Sequence, residues 1–199
     1  MEIYIFGAGG QALWAKEICI LLGHEFVIVD KEDEVRVLSG NIAHYHVAIG
    51  DNHIREGVYS RIRKAKSGAK AVTLVHPQAY IAASASIADG CLVLAGAVVG
   101  PETRVSIGCS LWTNSVLEHH SVMGKFSSLA PGAITGGNVS IGQHAFLGLN
   151  SCIRHGAKIG GNTVIGCGAT VVKDIADNQT AYGTPAKAIK TRNIGEGYL

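Results

Sequence analysis

The chain has 199 residues, a formal net charge of +2 and only 16% charged side chains, with a pI near 8.3. This weak basic balance, with no aromatic residues among basic clusters, argues against a nucleic-acid-binding protein. The mean hydropathy is +0.25, but no apolar run reaches the ~18 residues that a membrane span needs, so we expect no membrane segment.

The sequence opens MEIYIFGAGG, which enters a strand-like segment without a basic n-region, so no signal peptide is expected. The cysteines form no CxxC pair and no zinc-finger spacing, which favours reduced thiols in a cytoplasmic protein without a metal site. They are Cys19, Cys91, Cys109, Cys152 and Cys167.

The first part of the chain, about residues 1–75, predicts alternating strands and helices. Strands are expected at EIYIFG, EFVIVD, HVAIG and KAVTLV, and helices at LWAKEICILLG and DNHIREGVYSRIRKAKSG. Asp51 is the expected N-cap of the second helix. The segment VHP (75–77) is the expected linker, so the predicted domains are residues 1–76 and 77–199.

A glycine-rich motif joins the first predicted strand to the first helix. GAGGQA (7–12) matches the GxGxxA pattern in which backbone amides and a helix N-terminus receive phosphate, and Asp30 ends the next strand. A tight turn without a ligand is the alternative. Only four strands fit before Pro77, about half of a full dinucleotide fold, so a mononucleotide suits the space better than NAD.

From Ile81 onward, apolar residues recur at every sixth position. Fifteen of sixteen are aliphatic or Met, and only Thr135 breaks this aliphatic column. The residue four positions after each is almost always small, and neither a helix nor an ordinary sheet has such a period. The column is Ile81, Ile87, Val93, Val99, Val105, Leu111, Leu117, Met123, Leu129, Thr135, Ile141, Leu147, Ile153, Ile159, Ile165 and Val171.

A period of six predicts a parallel β-solenoid with a bend in every hexad. Three hexads, or 18 residues, close one triangular coil that buries the aliphatic column. Stacked coils then pair as parallel strands about 4.8 Å apart. The phase is unbroken from residue 81 to residue 171, so about five coils are expected.

The hexad array resembles the left-handed β-helix of the hexapeptide-repeat acyltransferases, an exception to right-handed crossovers. The tail GTPAKAIK (183–190) is similar to the stretch after the last coil in that superfamily. GAGGQA, AIGDNHIR and SVLEHHSVMGKF together resemble a narrower group of bacterial sugar acyltransferases with a small nucleotide-binding domain. Within it, the resemblance is strongest to the UDP-4-amino-sugar N-acetyltransferase of bacillosamine biosynthesis, and it covers nearly the whole chain.

This resemblance implies a Rossmann-like nucleotide-sugar-binding domain at residues 1–76 and a left-handed parallel β-helix at 77–199. It implies transfer of acetyl from acetyl-CoA to the amine of a nucleotide-linked sugar, with a UDP-4-amino sugar as the expected acceptor. Direct attack is expected, since no cysteine or serine is placed as a covalent nucleophile. The family also implies a homotrimer with active sites between subunits.

The resemblance implies substrate contacts in the first domain. The glycine loop would contact the diphosphate and the sugar, and the end of the second strand would lie near the nucleotide base. A glycine at the end of the third strand would let the backbone approach the ligand closely. Gln11 stands where the family commonly has His, and Lys31 where the bacillosamine enzyme has Asp, so the base stays open. The implied residues are Gly9, Gly10, Gln11, Asp30, Lys31 and Gly50.

The stretch SVLEHHSVMGKF (115–126) contains the expected catalytic residues. Residues one coil apart differ by 18 positions, which places Gly137 beside His119 and Glu102 beside His120. The resemblance implies that His119 is the general base and that the Gly137 N–H binds the acetyl carbonyl. A solvated or structural histidine is the alternative.

His120 stands where the family usually has a carboxylate that orients the base. Because adjacent strand residues point to opposite faces, we expect Glu118 and His120 on one side and His119 on the other. One hypothesis is that Glu102 supplies negative charge through His120. The alternative is that this enhancement is absent and turnover is slower.

The resemblance places Ser128, Leu149 and Cys167 along the acetyl-CoA groove beside Gly137, with Ser128 in place of a family histidine. A basic tail formed by Lys187, Lys190 and Arg192 would either meet CoA phosphates or remain solvated.

Three rival functions remain open. The first is an O-acetyltransferase of a sialic-acid-like sugar, in which His119 would serve equally. The second is a zinc carbonic anhydrase type of left-handed β-helix, which draws on His119, His120, His144 and His155. Against it are the nucleotide-type N-terminal domain, the GTPAK tail and the absence of a residue pattern that matches the zinc ligands of that type. As candidates for the catalytic chemistry, His155 lies two coils from His119, about 9–10 Å away and too far for direct contact, and His144 is expected at the surface. The third is a non-catalytic nucleotide-sugar sensor.

Overall fold

The computed structural model describes residues 1–198, and its N-terminal part alternates strands and helices. The elements are β1 (Glu2–Phe6), α1 (Gly10–Leu21), β2 (Glu25–Val29), α2 (Glu34–Ser39), β3 (His44–Val47), α3 (Asn52–Ala65) and β4 (Lys70–Ala71). The four strands form a parallel sheet of order β2-β1-β3-β4. With so few strands and a short α2, the Rossmann-like character of this part stays a prediction. Asp51 caps α3 as predicted, accepting hydrogen bonds from the His53 and Ile54 N–H groups.

The rest of the chain is a left-handed-type parallel β-solenoid of about six turns, built from two-residue strands at the predicted period. Every third strand stacks in the same flat face, with partners 18 residues apart. The strands are β5 (Leu74–Val75), β6 (Tyr80–Ile81), β7 (Ser86–Ile87), β8 (Leu92–Val93), β9 (Val98–Val99), β10 (Arg104–Val105), β11 (Ser110–Leu111), β12 (Val116–Leu117), β13 (Val122–Met123), β14 (Ser128–Leu129), β15 (Ile134–Thr135), β16 (Ser140–Ile141), β17 (Phe146–Leu147), β18 (Cys152–Ile153), β19 (Lys158–Ile159), β20 (Val164–Ile165) and β21 (Thr170–Val171).

We call the face that begins with β5 the first face, that of β6 the second and that of β7 the third. The predicted strand KAVTLV is in fact two strands, because β4 pairs with β3 whereas β5 pairs with β8. Val75 lies one hexad before Ile81, so the repeat begins inside the predicted linker. The solenoid therefore has about six turns where the sequence predicted about five.

The aliphatic column forms the solenoid core, as its period predicts. Leu111, Leu117, Met123 and Leu129 are all 0% exposed, and Thr135 is buried among them. The small residues of the hexads pack in the same core, including the free thiols of Cys91 and Cys109. Burial of a continuous apolar column is what holds consecutive coils together.

The N-terminal part packs against the first face of the solenoid. Apolar residues of β1 and α1 share one core cluster with Leu74, Leu92 and Leu94. Beside this cluster lies Arg55, which is 1% exposed. Its guanidinium forms hydrogen bonds with both the N-terminal part and the solenoid. It donates hydrogen bonds to the carbonyl oxygens of Ile49, Gly50, Gly108 and Phe126 and to the side chains of Asn52 and Ser128.

The C-terminal stretch closes the solenoid with β22 (Gln179–Gly183), parallel to β20, and β23 (Ala186–Thr191), antiparallel to β22. Lys190 pairs with Glu196 at 2.5 Å, and Arg192 is buried against the carbonyl oxygen of Glu196. Arg192 is therefore neither solvated nor free to meet a phosphate, so both alternatives given for the basic tail are wrong at this residue. None of the described helices has the length and hydrophobicity that crossing a bilayer requires.

A buried histidine makes the stability of the fold depend on pH. His46 is 1% exposed, its Nδ1 contacts the Val72 carbonyl oxygen at 2.9 Å, and burial lowers its pKa to about 4. As the pH falls, the unfolded chain therefore takes up the proton first. The stability held above about pH 6.5 is lost progressively towards about pH 4.

Replacing His46 by Asn keeps an N–H donor for Val72 and removes this titration. We expect urea unfolding of the wild type to lose about 2 kcal/mol more than the variant between about pH 7.5 and about pH 5. Burial and the nearby His53 also lower the pKa of His144, so the variant keeps a reduced slope of the same sign. An unchanged slope in the variant would contradict the assignment.

Candidate active site

The paired histidines lie in the turn that follows β12. His120 has a left-handed backbone with φ of 59°, so the alternation expected for an extended strand is wrong at this position. The two rings meet on one side instead, with the Nδ1 atoms of His119 and His120 3.0 Å apart and the ring planes at 90°. A hydrogen bond at this distance requires one Nδ1 to donate and the other to accept.

The His119 ring lies directly over Gly137, the residue one coil further along. A Cβ built on Gly137 would lie 2.4 Å from the Cε1 and Nε2 atoms of His119, so only glycine fits beneath this ring. The Gly137 carbonyl oxygen accepts from the Gly156 N–H, whereas its own N–H donates to no acceptor within residues 1–198. An imidazole and a free peptide N–H are thus adjacent at this corner.

Within the described residues, the carboxylates near the corner form no hydrogen bond with either ring. Glu118 accepts a hydrogen bond from the His119 backbone N–H at 3.0 Å. Glu102 donates its backbone N–H to the Ser84 hydroxyl, and within the described chain no hydrogen bond joins its carboxylate to His120. The predicted contact between Glu102 and His120 is therefore not formed, because both residues lie in turns whose side chains project outward.

The other histidines depart from their predicted places. The ring centroids of His155 and His119 are 6.1 Å apart, closer than two coil spacings, since Gly137 between them has no side chain. His144 is not a surface residue, because its side chain is only 11% exposed and its Nε2 lies 2.7 Å from Glu56 Oε2. Its ring stacks on His53 with centroids 4.1 Å apart.

This second cluster bears on the zinc alternative. His53, Glu56 and His144 bring ligand atoms within 4.8 Å of one another. The two imidazole rings are nearly parallel, however, and the in-plane lone pairs of stacked rings do not converge on one ion. His144 also lies at a different corner from His119, so the four histidines do not form one metal site.

The glycine loop lines a cavity of about 480 Å³ between the N-terminal part and the solenoid. Of the predicted substrate residues, Gly9, Gly10 and Gln11 line it together with Gly50. Solenoid residues Trp112 and Phe146, which the sequence did not single out, complete its apolar wall. The full lining is Gly7, Ala8, Gly9, Gly10, Gln11, Ala48, Ile49, Gly50, Trp112, Ala130, Pro131, Phe146 and Leu149.

Gln11 does more than line this cavity. Its side chain is buried, and its Nε2 donates to the Ser110 hydroxyl at 2.9 Å, which ties the glycine loop to the first face. Its Oε1 has no hydrogen-bond partner in the described part of the chain. A buried acceptor without a partner is unfavourable, so this oxygen is suited to a donor from a bound molecule.

A second cavity of about 700 Å³ lies on the other side of the glycine loop, beside Asp30 and Lys31. Asp30 Oδ1 accepts from the Glu32 and Asp33 N–H groups, which fixes the turn after β2. The predicted substrate residues therefore line two cavities on either side of the glycine loop. Asp30 and Lys31 line one cavity, the other predicted residues line the other, and Gly7 and Ala8 border both.

Of the three side chains predicted to line the cofactor groove, two are exposed and one is buried. Leu149 is 46% exposed at the edge of the glycine-loop cavity, and Cys167 is exposed one coil further along. Ser128 is instead 0% exposed, and its hydroxyl donates to Asn52 Oδ1 at 2.7 Å. Ser128 therefore belongs to the contact between the two parts of the chain and does not line a surface groove, because α3 covers it.

No established protein-family profile matches the sequence. Solved structures do match along nearly the whole chain. PerB from Caulobacter crescentus, solved with CoA and GDP-perosamine, is 28% identical with a TM-score of 0.91, over 96% of this chain and 98% of that one. The acetyltransferase domain of PglB from Neisseria gonorrhoeae, solved with acetyl coenzyme A, is 28% identical with a TM-score of 0.90, over 94% and 98%.

WeeI from Acinetobacter baumannii, at 21% identity, has a TM-score of 0.84 over 95% of this chain and all of its own, and it supports the fold alone. The two closer structures confirm the resemblance inferred from the hexads and the glycine loop. Together, these observations show that the chain is an acyltransferase, similar in sequence and structure to the hexapeptide-repeat sugar N-acetyltransferases.

Proposed function

We propose that the protein transfers the acetyl group of acetyl-CoA to the amine of a nucleotide-linked amino sugar, with a UDP-4-amino sugar as the expected acceptor. The observation that carries this proposal is the His119 imidazole over the unbonded N–H of Gly137. The CoA and GDP-perosamine complex of PerB supports the reaction class and the choice of an amine over a hydroxyl acceptor.

In this mechanism His119 Nε2 accepts the proton of the sugar amine as its nitrogen attacks the thioester carbonyl carbon. The Gly137 N–H donates to the oxygen that becomes negatively charged in the tetrahedral intermediate. The C–S bond then breaks, and His119 returns the proton to the leaving sulfur. Leu149 and Cys167 are the proposed groove contacts of the cofactor, and the glycine-loop cavity is the proposed sugar-nucleotide site.

The contact with His120 selects the tautomer of the base. If His119 Nδ1–H donates to His120 Nδ1, the Nε2 of His119 carries the lone pair that the reaction needs. His120 is thus proposed as an orienting group without the charge of the usual carboxylate. Glu102 would act on His120 only through the negative charge of its carboxylate one coil away, without a hydrogen bond.

Introducing the missing carboxylate tests this role. In His120→Asp, negative charge favours the imidazolium form, so the acid limb of the kcat/KM profile should move to higher pH. In His120→Ala, loss of the acceptor should lower kcat by up to about tenfold, the value of one net hydrogen bond. Unchanged profiles for both variants would remove His120 from the mechanism.

The second face supports the proposal of a homotrimer with active sites between subunits. Its outward residues Tyr80, Val98, Val116 and Ile134 form an apolar column, and Tyr80 and Ile134 are 61% and 44% exposed. The glycine-loop cavity and His119 lie at opposite edges of this face, about 15–20 Å apart along the chain between residues 113 and 119. A neighbouring copy packed on this face would bring its own His119 towards the cavity.

Ile134→Lys places a charge in this column. We expect the variant to elute as a monomer in size-exclusion chromatography with light scattering and to lose acetyl transfer. Ser140→Lys, on the polar third face, is the matched control and should keep both the assembly and the activity. A wild type that is monomeric and fully active would refute the shared site.

The reaction itself is tested with acetyl-CoA and a panel of UDP-, GDP- and dTDP-linked 4-amino sugars, following free thiol release. Efficient release is expected with a UDP-linked amine and not with the corresponding hydroxyl sugar. Preference for the GDP-linked sugar would correct the nucleotide, and absence of acetyl transfer to any amine would overturn the proposed function.

A further inference from the structure

The second face has one irregular position, and it lies next to His119. After each strand of this face, the following N–H normally donates to the backbone carbonyl oxygen of the residue 17 positions ahead. The bonds Ala82 to Val99, Gly100 to Leu117, Gly136 to Ile153 and Arg154 to Val171 are all 2.8–2.9 Å.

At Glu118 this backbone bond is replaced. The Glu118 N–H donates to the Thr135 side-chain hydroxyl at 3.0 Å. The ladder between β12 and β15 correspondingly has one register pair, Val116 with Ile134, where the neighbouring ladders of this face have two. The hydrogen bonding at this position therefore differs from that at the equivalent position of every other coil of this face.

Thr135 is also the one residue that breaks the aliphatic column. It is 1% exposed, in a core where the equivalent positions Leu117 and Ile153 are 0% and 3% exposed. A hydroxyl at such a position is unfavourable compared with the isosteric valine unless it makes a hydrogen bond. In the described part of the chain, the hydroxyl makes one hydrogen bond, which it accepts from the N–H of Glu118, the residue that immediately precedes His119.

We infer that the Thr135 hydroxyl is a positioning group for the catalytic base, an inference that rests on the proposed function. By holding the Glu118 N–H, it sets the backbone from which the His119 ring projects over Gly137. Thr135 does not touch the reacting atoms. Its role is to fix where Nε2 of His119 lies, and displacement of a base by about 1 Å is enough to lower a rate by about 100-fold.

Two substitutions separate this role from a structural one. Thr135→Val completes the aliphatic column, so the unfolding temperature should hold or rise while kcat falls by about 10–100-fold, with KM for acetyl-CoA nearly unchanged. Thr135→Ser keeps the hydroxyl and loses a methyl group, so the unfolding temperature should fall while kcat stays within about threefold of wild type. A purely structural role would move stability and kcat in the same direction.

Val171→Thr is the matched control, since it places the same hydroxyl in the same face two coils beyond Thr135, where Val171 is 0% exposed. It should lower the unfolding temperature and leave kcat unchanged. If the wild type acetylates no amine, the proposed function fails. If the wild type is active and Thr135→Val keeps its kcat, or if Thr135→Ser is as slow as Thr135→Val, the positioning inference alone fails.

Discussion

His119→Ala is expected to lower kcat for acetyl transfer by about 10²–10⁴-fold, the usual contribution of a general base. The ring lies on the outside of the solenoid over Gly137, so its removal leaves the aliphatic column intact. The unfolding temperature and the KM for acetyl-CoA should therefore change little. Thiol release at saturating substrates is the measurement, with the unfolding temperature measured on the same samples.

His155→Ala is the control for this variant. Its ring centroid is 6.1 Å from that of His119, yet it does not lie over Gly137. Its removal should change kcat by less than about threefold, as expected for a group outside the proton transfer. Retention of most wild-type activity by His119→Ala, with the control equally active, would exclude an imidazole base at this corner.

Arg55→Met is expected to destabilise the protein by about 3–5 kcal/mol, the range for breaking a buried polar network. Arg55 supplies hydrogen bonds to four backbone carbonyl oxygens at the junction of the two parts of the chain. Within residues 1–198 no carboxylate pairs with it, and burial lowers the pKa of its guanidinium. Methionine fills similar space but leaves those oxygens without donors. Each buried carbonyl oxygen without a hydrogen bond lowers the free energy of unfolding by about 1–3 kcal/mol.

Urea unfolding at neutral pH measures this effect. Arg36→Met is the control, because Arg36 pairs with Asp33 in solvent and its side chain is 75% exposed. The control should leave the unfolding midpoint unchanged. A midpoint for Arg55→Met that equals the control would show that the junction does not depend on the guanidinium.

The regular part of the fold was predictable because its information is local. Each hexad carries its own buried residue and its own bend, so the period alone fixed the strands, the faces and the 18-residue spacing. The same spacing predicted that His119 lies beside Gly137, since the coils of β12 and β15 stack with an 18-residue offset. The extra first coil was missed because Leu74 and Val75 also suit an ordinary strand after Ala71.

The side-chain contacts between distant segments were not predictable in the same way. Ser128 follows the hexad pattern like any outward residue, and nothing local shows that α3 covers it. Likewise the pairing of His144 with Glu56 joins residues 88 positions apart, and it depends on how the N-terminal part docks on the first face.

The sequence by itself therefore determined the period, the buried column and the corner at which the histidine pair stands. Only the tertiary structure decided where the rings point, because the left-handed turn at His120 and the absent side chain of Gly137 control their directions. It also decided which polar residues are buried, since burial of Arg55, Gln11 and Ser128 arises from the packing of two segments. Periodicity encodes contacts along a repeat, whereas contacts between non-repeating surfaces depend on the complete three-dimensional arrangement.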